Sequence, residues 1–167
     1  MTPTRIDHSS THETSVIHVR TLSSAIDLDA TPDRVWSILT ATDDYPQWNP
    51  FIRRLDGPLT PGSKLTLRIE PPGGKPMTFT PKVTHVEPDR RLAWLGRLGI
   101  PGLFDGAHSF TLEPLDDSHT RLVQSKSFTG ILVWFSGGLL KKTEAGFHAM
   151  NDALKERLTT TLSPSEQ

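Results

Sequence analysis

The hydrophobic period of this chain changes once, and that change most narrows what it can fold into. From Leu22 to Phe128 apolar residues recur largely in twos, and from Leu139 to Leu162 they recur in threes and fours. Leu22, Ser24, Ile26 and Leu28 alternate with Ser23, Ala25, Asp27 and Asp29, the pattern of a half-buried strand. Further strands are predicted at Phe51–Leu55, Leu65–Glu70, Met77–Val83, Leu92–Gly96, Asp105–Leu115 and His119–Thr129. Turn chemistry separates them: Gly57-Pro58-Leu59-Thr60-Pro61-Gly62, Pro71-Pro72-Gly73-Gly74, Asp89-Arg90, Gly99-Ile100-Pro101-Gly102 and Asp116-Asp117-Ser118. Pro81 lies inside the third of these strands and marks a bulge or an edge. Six strands in succession predict a strongly curved antiparallel meander. The helix that follows puts Leu140, Phe147, Met150, Leu154 and Leu158 on one face and most of its charges elsewhere. Gly137-Gly138 precede it and Pro164 ends it.

Between the first strand and the meander lies a segment that cannot stand alone. Thr31 is a good N-cap, Pro32 suits a first helical turn, and Asp33 suits the positive end of the helix dipole. Val35, Trp36, Ile38 and Leu39 give little more than two apolar turns before Tyr45-Pro46 and Asn49-Pro50 break the chain twice. Two short helices that plug one end of a curved sheet follow from this pattern.

The 167 residues suit one domain, predicted over 18–162 between a polar arm (1–17) and a short tail (163–167). A formal charge of -1, with Lys and Arg scattered, offers no basic stripe to nucleic acid or to an anionic membrane. No window approaches the roughly 20 apolar residues of a membrane span, and the start lacks the apolar core of a signal peptide. These readings predict a cytoplasmic protein, monomer or homodimer. The absence of cysteine excludes disulfides, thiolate nucleophiles and iron–sulfur clusters. His8, His12 and His18 fit no compact metal site, and no Gly-x-Ser-x-Gly elbow or phosphate loop is present. Neither metal nor other cofactor is expected. The Asp43-Asp44 and Asp116-Asp117 pairs fall at turns, where aspartate bonds its own backbone.

The element order β-α-α-β6-α, with Val35-Trp36, Tyr45-Pro46-Gln47-Trp48-Asn49-Pro50-Phe51, Gly106-Ala107-His108-Ser109-Phe110, Thr120-Arg121 and Phe128-Thr129-Gly130, resembles the START and Bet v 1-like superfamily. It resembles most its bacterial SRPBCC members of polyketide cyclase/dehydrase type, over about Ser24 to Leu158. The resemblance implies an α+β helix-grip fold, a seven-stranded curved antiparallel sheet wrapping a long C-terminal helix, with a hydrophobic cavity between them. It does not imply one reaction, because fold and function are separable.

Strand parity directs Phe79, Trp94, Phe110, Leu122 and Phe128 to the concave face, and helix parity adds Phe147, Met150 and Leu154. Trp48 and Phe51 are expected near the mouth. Such walls suit a hydrophobic small molecule, aromatic or polyketide-like. Three polar residues share the inward parity: His108, Gln124 and Lys126. If the last hairpin turns through Asp116-Asp117-Ser118, Phe110 faces Gln124 and His108 faces Lys126. A buried lysine becomes a base or a nucleophile, and a histidine beside it can shuttle protons or polarise a ligand oxygen. Asn151 on the helix is either a ligand contact or a satisfied core amide. Three readings follow: cyclisation, dehydration or proton transfer by His108 and Lys126; a carrier without chemistry; or a chaperone-activator-like protein-binding module with a filled interior.

Overall fold

The computed structural model describes residues 19–97, 105–130 and 137–160. The predicted arm, the Gly99-Ile100-Pro101-Gly102 turn and the tail with Pro164 lie outside the described residues. The chain runs β1 (Val19–Leu28), α1 (Pro32–Thr40), a 3-10 turn (Thr42–Asp44), α2 (Tyr45–Trp48), β2 (Ile52–Asp56), β3 (Thr66–Ile69), β4 (Met77–Phe79), β5 (Lys82–Glu87), β6 (Arg91–Arg97), β7 (Asp105–Pro114), β8 (Thr120–Thr129) and α3 (Gly137–Thr160).

Among the described residues eight strands replace the expected seven. Pro81 has no N–H to give a ladder, so the strand predicted over Met77–Val83 is cut there into β4 and the start of β5. The eight form two antiparallel sheets, ordered β1-β8-β7-β6-β5 and β2-β3-β4, rather than one. The sheets are still stitched together. The Gly62 N–H donates to the Val83 carbonyl at 2.8 Å, Val83 N–H to Ser63 at 2.8 Å, and Leu65 N–H to Pro81 at 2.8 Å. The helix predicted from Leu139 begins two residues earlier, so Gly137 and Gly138 form its first turn.

Thr31 precedes α1 in an extended conformation, but its hydroxyl caps no helix N–H. It bonds the Asp33 carboxyl instead and holds that acid below its ordinary pKa. Beyond α1, the Tyr45 hydroxyl donates to the Leu39 carbonyl at 2.7 Å. The buried Asn49 accepts the N–H groups of Phe51 and Ile52 at 3.0 and 2.8 Å, which fixes the turn into β2. The Thr120 hydroxyl donates to the Ala30 carbonyl at 2.7 Å, tying the start of β8 to the chain entering α1. Inside, Phe147, Met150, Leu154 and Leu158 of α3 meet Leu28, Leu39, Phe110 and Leu122 in one buried cluster.

The β7–β8 hairpin has the predicted register: the Leu115 N–H donates to His119 at 2.9 Å, and Phe110 pairs with Gln124, His108 with Lys126. Asp116 sets this turn by accepting the amides of Ser118 (2.8 Å) and His119 (2.9 Å) and the His119 ring (2.7 Å). Those bonds, the Ser118 amide first, push the Asp116 pKa down to about 2 from 3.8. Asp116 in turn raises His119 above 6.5. The acid therefore stabilises the turn above about pH 4 and loses that effect as pH falls toward 2. The histidine stabilises it below about pH 6.5 and loses that effect as pH rises through the raised value. Hydrogen exchange at the Ser118 and His119 amides should accordingly be slowest, relative to intrinsic rates, between about pH 4 and 6.5. Flat protection from pH 5 to 2 would contradict this account.

Candidate functional site

Inward positions of the large sheet form rungs across four strands. One rung is Leu92–Phe110–Gln124–Ser24, the next is Trp94–His108–Lys126–Leu22, and the next is Gly96–Gly106–Phe128–Arg20. The last rung decides where space opens. Gly96 and Gly106 stand directly opposite each other, so two neighbouring inward side chains are missing. A Cβ on Gly106 would lie in ordinary contact, 3.5 Å from the Lys126 Cε. Over this gap lies a pocket walled by Leu67, Met77 and Phe79 of the small sheet, Trp94 and Phe128 of the large one, and Thr143 of α3, with Lys126 projecting into it.

The pocket, open at one side, offers about 50 Å³. A water needs at least about 10–15 Å³ on this measure, and a typical small-molecule site offers about 300–1,000 Å³. Among the described residues, the interval between sheet and helix where a hollow was expected is largely filled. Phe110, Phe147, Met150 and Leu154 are each fully buried, because large side chains project from both layers into the same interval. What remains open is one end.

Lys126 is half-buried, and its ammonium lies 5.2 Å from the centroid of the Phe128 ring. Among the described residues no carboxylate lies within salt-bridge distance of it. Its apolar surroundings lower its pKa to about 8, so roughly a tenth is free amine at pH 7. His108 lies directly opposite, only 4% exposed. Its ring stacks on Trp94 at 4.7 Å and meets Phe110 and Phe147 edge to face at 4.8 and 5.3 Å. Burial first, and the Lys126 charge second, hold its pKa well below 6.5, so the imidazole is neutral at physiological pH. Its Nε2 has no hydrogen-bond partner among the described residues.

Gln124 and Asn151 belong to a different assembly. Gln124 Nε2 donates to Asn151 Oδ1 at 2.5 Å, Asn151 Nδ2 donates to Ser24 Oγ at 3.1 Å, and Ser24 Oγ lies 3.4 Å from His148 Nδ1. This chain crosses from β8 through α3 to β1. Asn151 is therefore a satisfied core amide, while Gln124 Oε1 is buried without a partner among the described residues.

Of the aromatic residues predicted to line a cavity, Phe79, Trp94 and Phe128 do so. Phe110, Phe147 and Met150 lie in the core behind them. Phe51 and Trp48 are not at this mouth. Phe51 is 2% exposed and packs edge to face on Phe147 at 5.9 Å. Trp48 lines a separate cleft with Ala153, Glu156, Arg157 and Thr160, because α2 folds back on the C-terminal half of α3. From Thr143 to Glu156 is about 20 Å along the helix. Sequence reasoning missed Thr143 and the facing glycines, although Gly96 and Gly106 have the same parity as Trp94 and His108. Among the described residues no cluster of metal-ligating side chains occurs, and no helix is long and apolar enough to cross a membrane.

Comparison with known proteins fits this geometry. A family model described as polyketide cyclase / dehydrase and lipid transport matches residues 19–159. Among solved structures, the Zhui aromatase/cyclase of Streptomyces sp. R1128 superposes with a TM-score of 0.72 at 18% identity, covering 89% of this chain and 99% of that one. A norcoclaurine synthase point mutant of Thalictrum flavum, in complex with a transition-state analogue, gives 0.69 at 14% identity, covering 89% and 99%. A START superfamily protein of Mycobacterium smegmatis gives 0.64 at 23%, covering 84% and 98%. At these identities the superpositions establish the fold alone. No curated protein matches the sequence.

Proposed function

Since the chain belongs to the polyketide cyclase / dehydrase and lipid transport family, we propose that it holds the apolar end of a hydrophobic small molecule in the pocket above Gly96 and Gly106, with Lys126 turned to a ligand oxygen. The observation that carries this is an ammonium, without an acidic partner among the described residues, standing in a pocket of otherwise mostly apolar wall. Polar groups in such a site orient the guest. A lysine that titrates near 8 can also accept or return a proton at neutral pH, and a neutral imidazole opposite it can steer that proton. Cyclisation, dehydration or proton transfer without metal or redox cofactor is the chemistry this pair suits. The aromatase/cyclase among the structural neighbours is consistent with cyclisation on this scaffold.

Native mass spectrometry of protein purified from its own host should detect a copurifying hydrophobic compound. On a substrate identified in that way, Lys126→Met and His108→Phe should each lower turnover by about 10²-fold or more, as removal of a general acid–base group does. Turnover unchanged in both variants would remove the catalytic claim for this pair, and a bound compound released without chemical change would leave a carrier.

The pocket's small volume favours one rival, an interaction module with a filled interior. Host-derived protein without any bound compound, together with a protein partner captured by the outer sheet surface, would select that reading.

A further inference from the structure

Resting on the pocket assigned above, we propose that its guest is an amphipathic monoanion, a ring or chain ending in a carboxylate, with the Lys126 ammonium as its counter-ion. Strand parity places Lys126 inward between Leu22 and His108. Leu67, Ile69, Met77 and Phe79 on the small sheet bring no titratable group to the wall facing it, and α3 brings Thr143. The Lys142 ammonium of α3 donates to the Gly73 carbonyl at 2.7 Å instead. At the rim Arg97 also lines the pocket, where the Asp105 carboxylate engages its guanidinium at 3.5 Å. Among the described residues His108 is the remaining titratable neighbour, and it is neutral. A cation in apolar surroundings is stabilised most by an anion that enters with it, and a neutral carbonyl or amide offers less.

The charge state of the lysine supplies a signature. Its pKa of about 8 in the free protein must rise when an anion docks beside it. Affinity for a carboxylate is then constant between about pH 5, where the guest is fully ionised, and about pH 8, and falls above it, and docking above pH 8 takes up a proton.

Isothermal titration calorimetry with 2-naphthoate and its neutral isostere 2-naphthamide tests this. At pH 7 naphthoate should bind about tenfold or more tightly than naphthamide, the margin of one charge-assisted hydrogen bond. At pH 8.5, in buffers of different ionisation enthalpy, naphthoate should take up protons and naphthamide none. Lys126→Met should abolish the preference, bringing naphthoate down to the affinity of naphthamide, with the circular dichroism spectrum reporting an intact fold. Equal affinity of the two compounds, or naphthoate binding without proton uptake, overturns the inference and leaves the hydrophobic pocket standing. Binding of neither compound overturns both.

Discussion

Asn151→Leu is expected to destabilise the fold by about 3–5 kcal/mol, read as a fall in denaturation midpoint and on the order of 10 °C in Tm. The substitution is close in size, so the loss is polar rather than steric. Gln124 Nε2 loses its acceptor at 2.5 Å, and Ser24 Oγ loses the donor at 3.1 Å. Gln124 is fully buried and its Oε1 already lacks a partner among the described residues, so both ends of the amide would then be stranded. Each buried group left unsatisfied costs about 1–3 kcal/mol. Removing both members should do less harm than removing one. In Gln124→Leu/Asn151→Leu most of the stability should return, because an apolar pair of similar shape leaves nothing to desolvate. A double variant as unstable as the sum of its singles would refute this account of the network.

Gly146→Ala should also destabilise, against the usual direction for glycine in a helix. Alanine gains about 1 kcal/mol in a helix interior. Here a Cβ would overlap Cδ2 and Cε2 of the Phe51 ring and sit 2.8 Å from its Cγ. That ring has no room to retreat, being 2% exposed and set edge to face on Phe147. Overpacking of this kind costs about 1–3 kcal/mol and more for a direct overlap, so a net loss of about 1–2 kcal/mol remains. Equilibrium urea unfolding reads it. In a Phe51→Leu background, where the ring is gone, Gly146→Ala should become neutral or stabilising; an equal loss in both backgrounds would show that the ring is not the obstacle. Phe147 also meets the His108 ring edge to face at 5.3 Å.

The parts legible in the sequence are those set by period and by turn chemistry. His108 could be placed opposite Lys126 because a short aspartate-led turn fixes the residue count of its hairpin, and strands of period two carry that count onward without error. The amphipathic stripe of α3 likewise named Phe147, Met150, Leu154 and Leu158 as buried. Filling was not legible. Parity assigns Phe110 and Phe147 to the interior equally well whether the interior is open or occupied, since the separation of sheet and helix is a three-dimensional quantity. Pro81 signalled an irregularity, but whether a proline bulges a strand or divides it depends on the neighbour across the ladder. Trp48 is placed by the angle between α2 and α3, which no spacing along the chain encodes. Asn151 could be read either way until Ser24, 127 positions distant, came within 3.1 Å of it.

The facing Gly96 and Gly106 make the pocket a void left by hydrogen atoms rather than by a bent backbone. Its depth can be shortened carbon by carbon at Gly106 while the β6–β7 ladder is kept. The size of the space and the integrity of the sheet that walls it are thus separate variables in this architecture, and one can drift without the other.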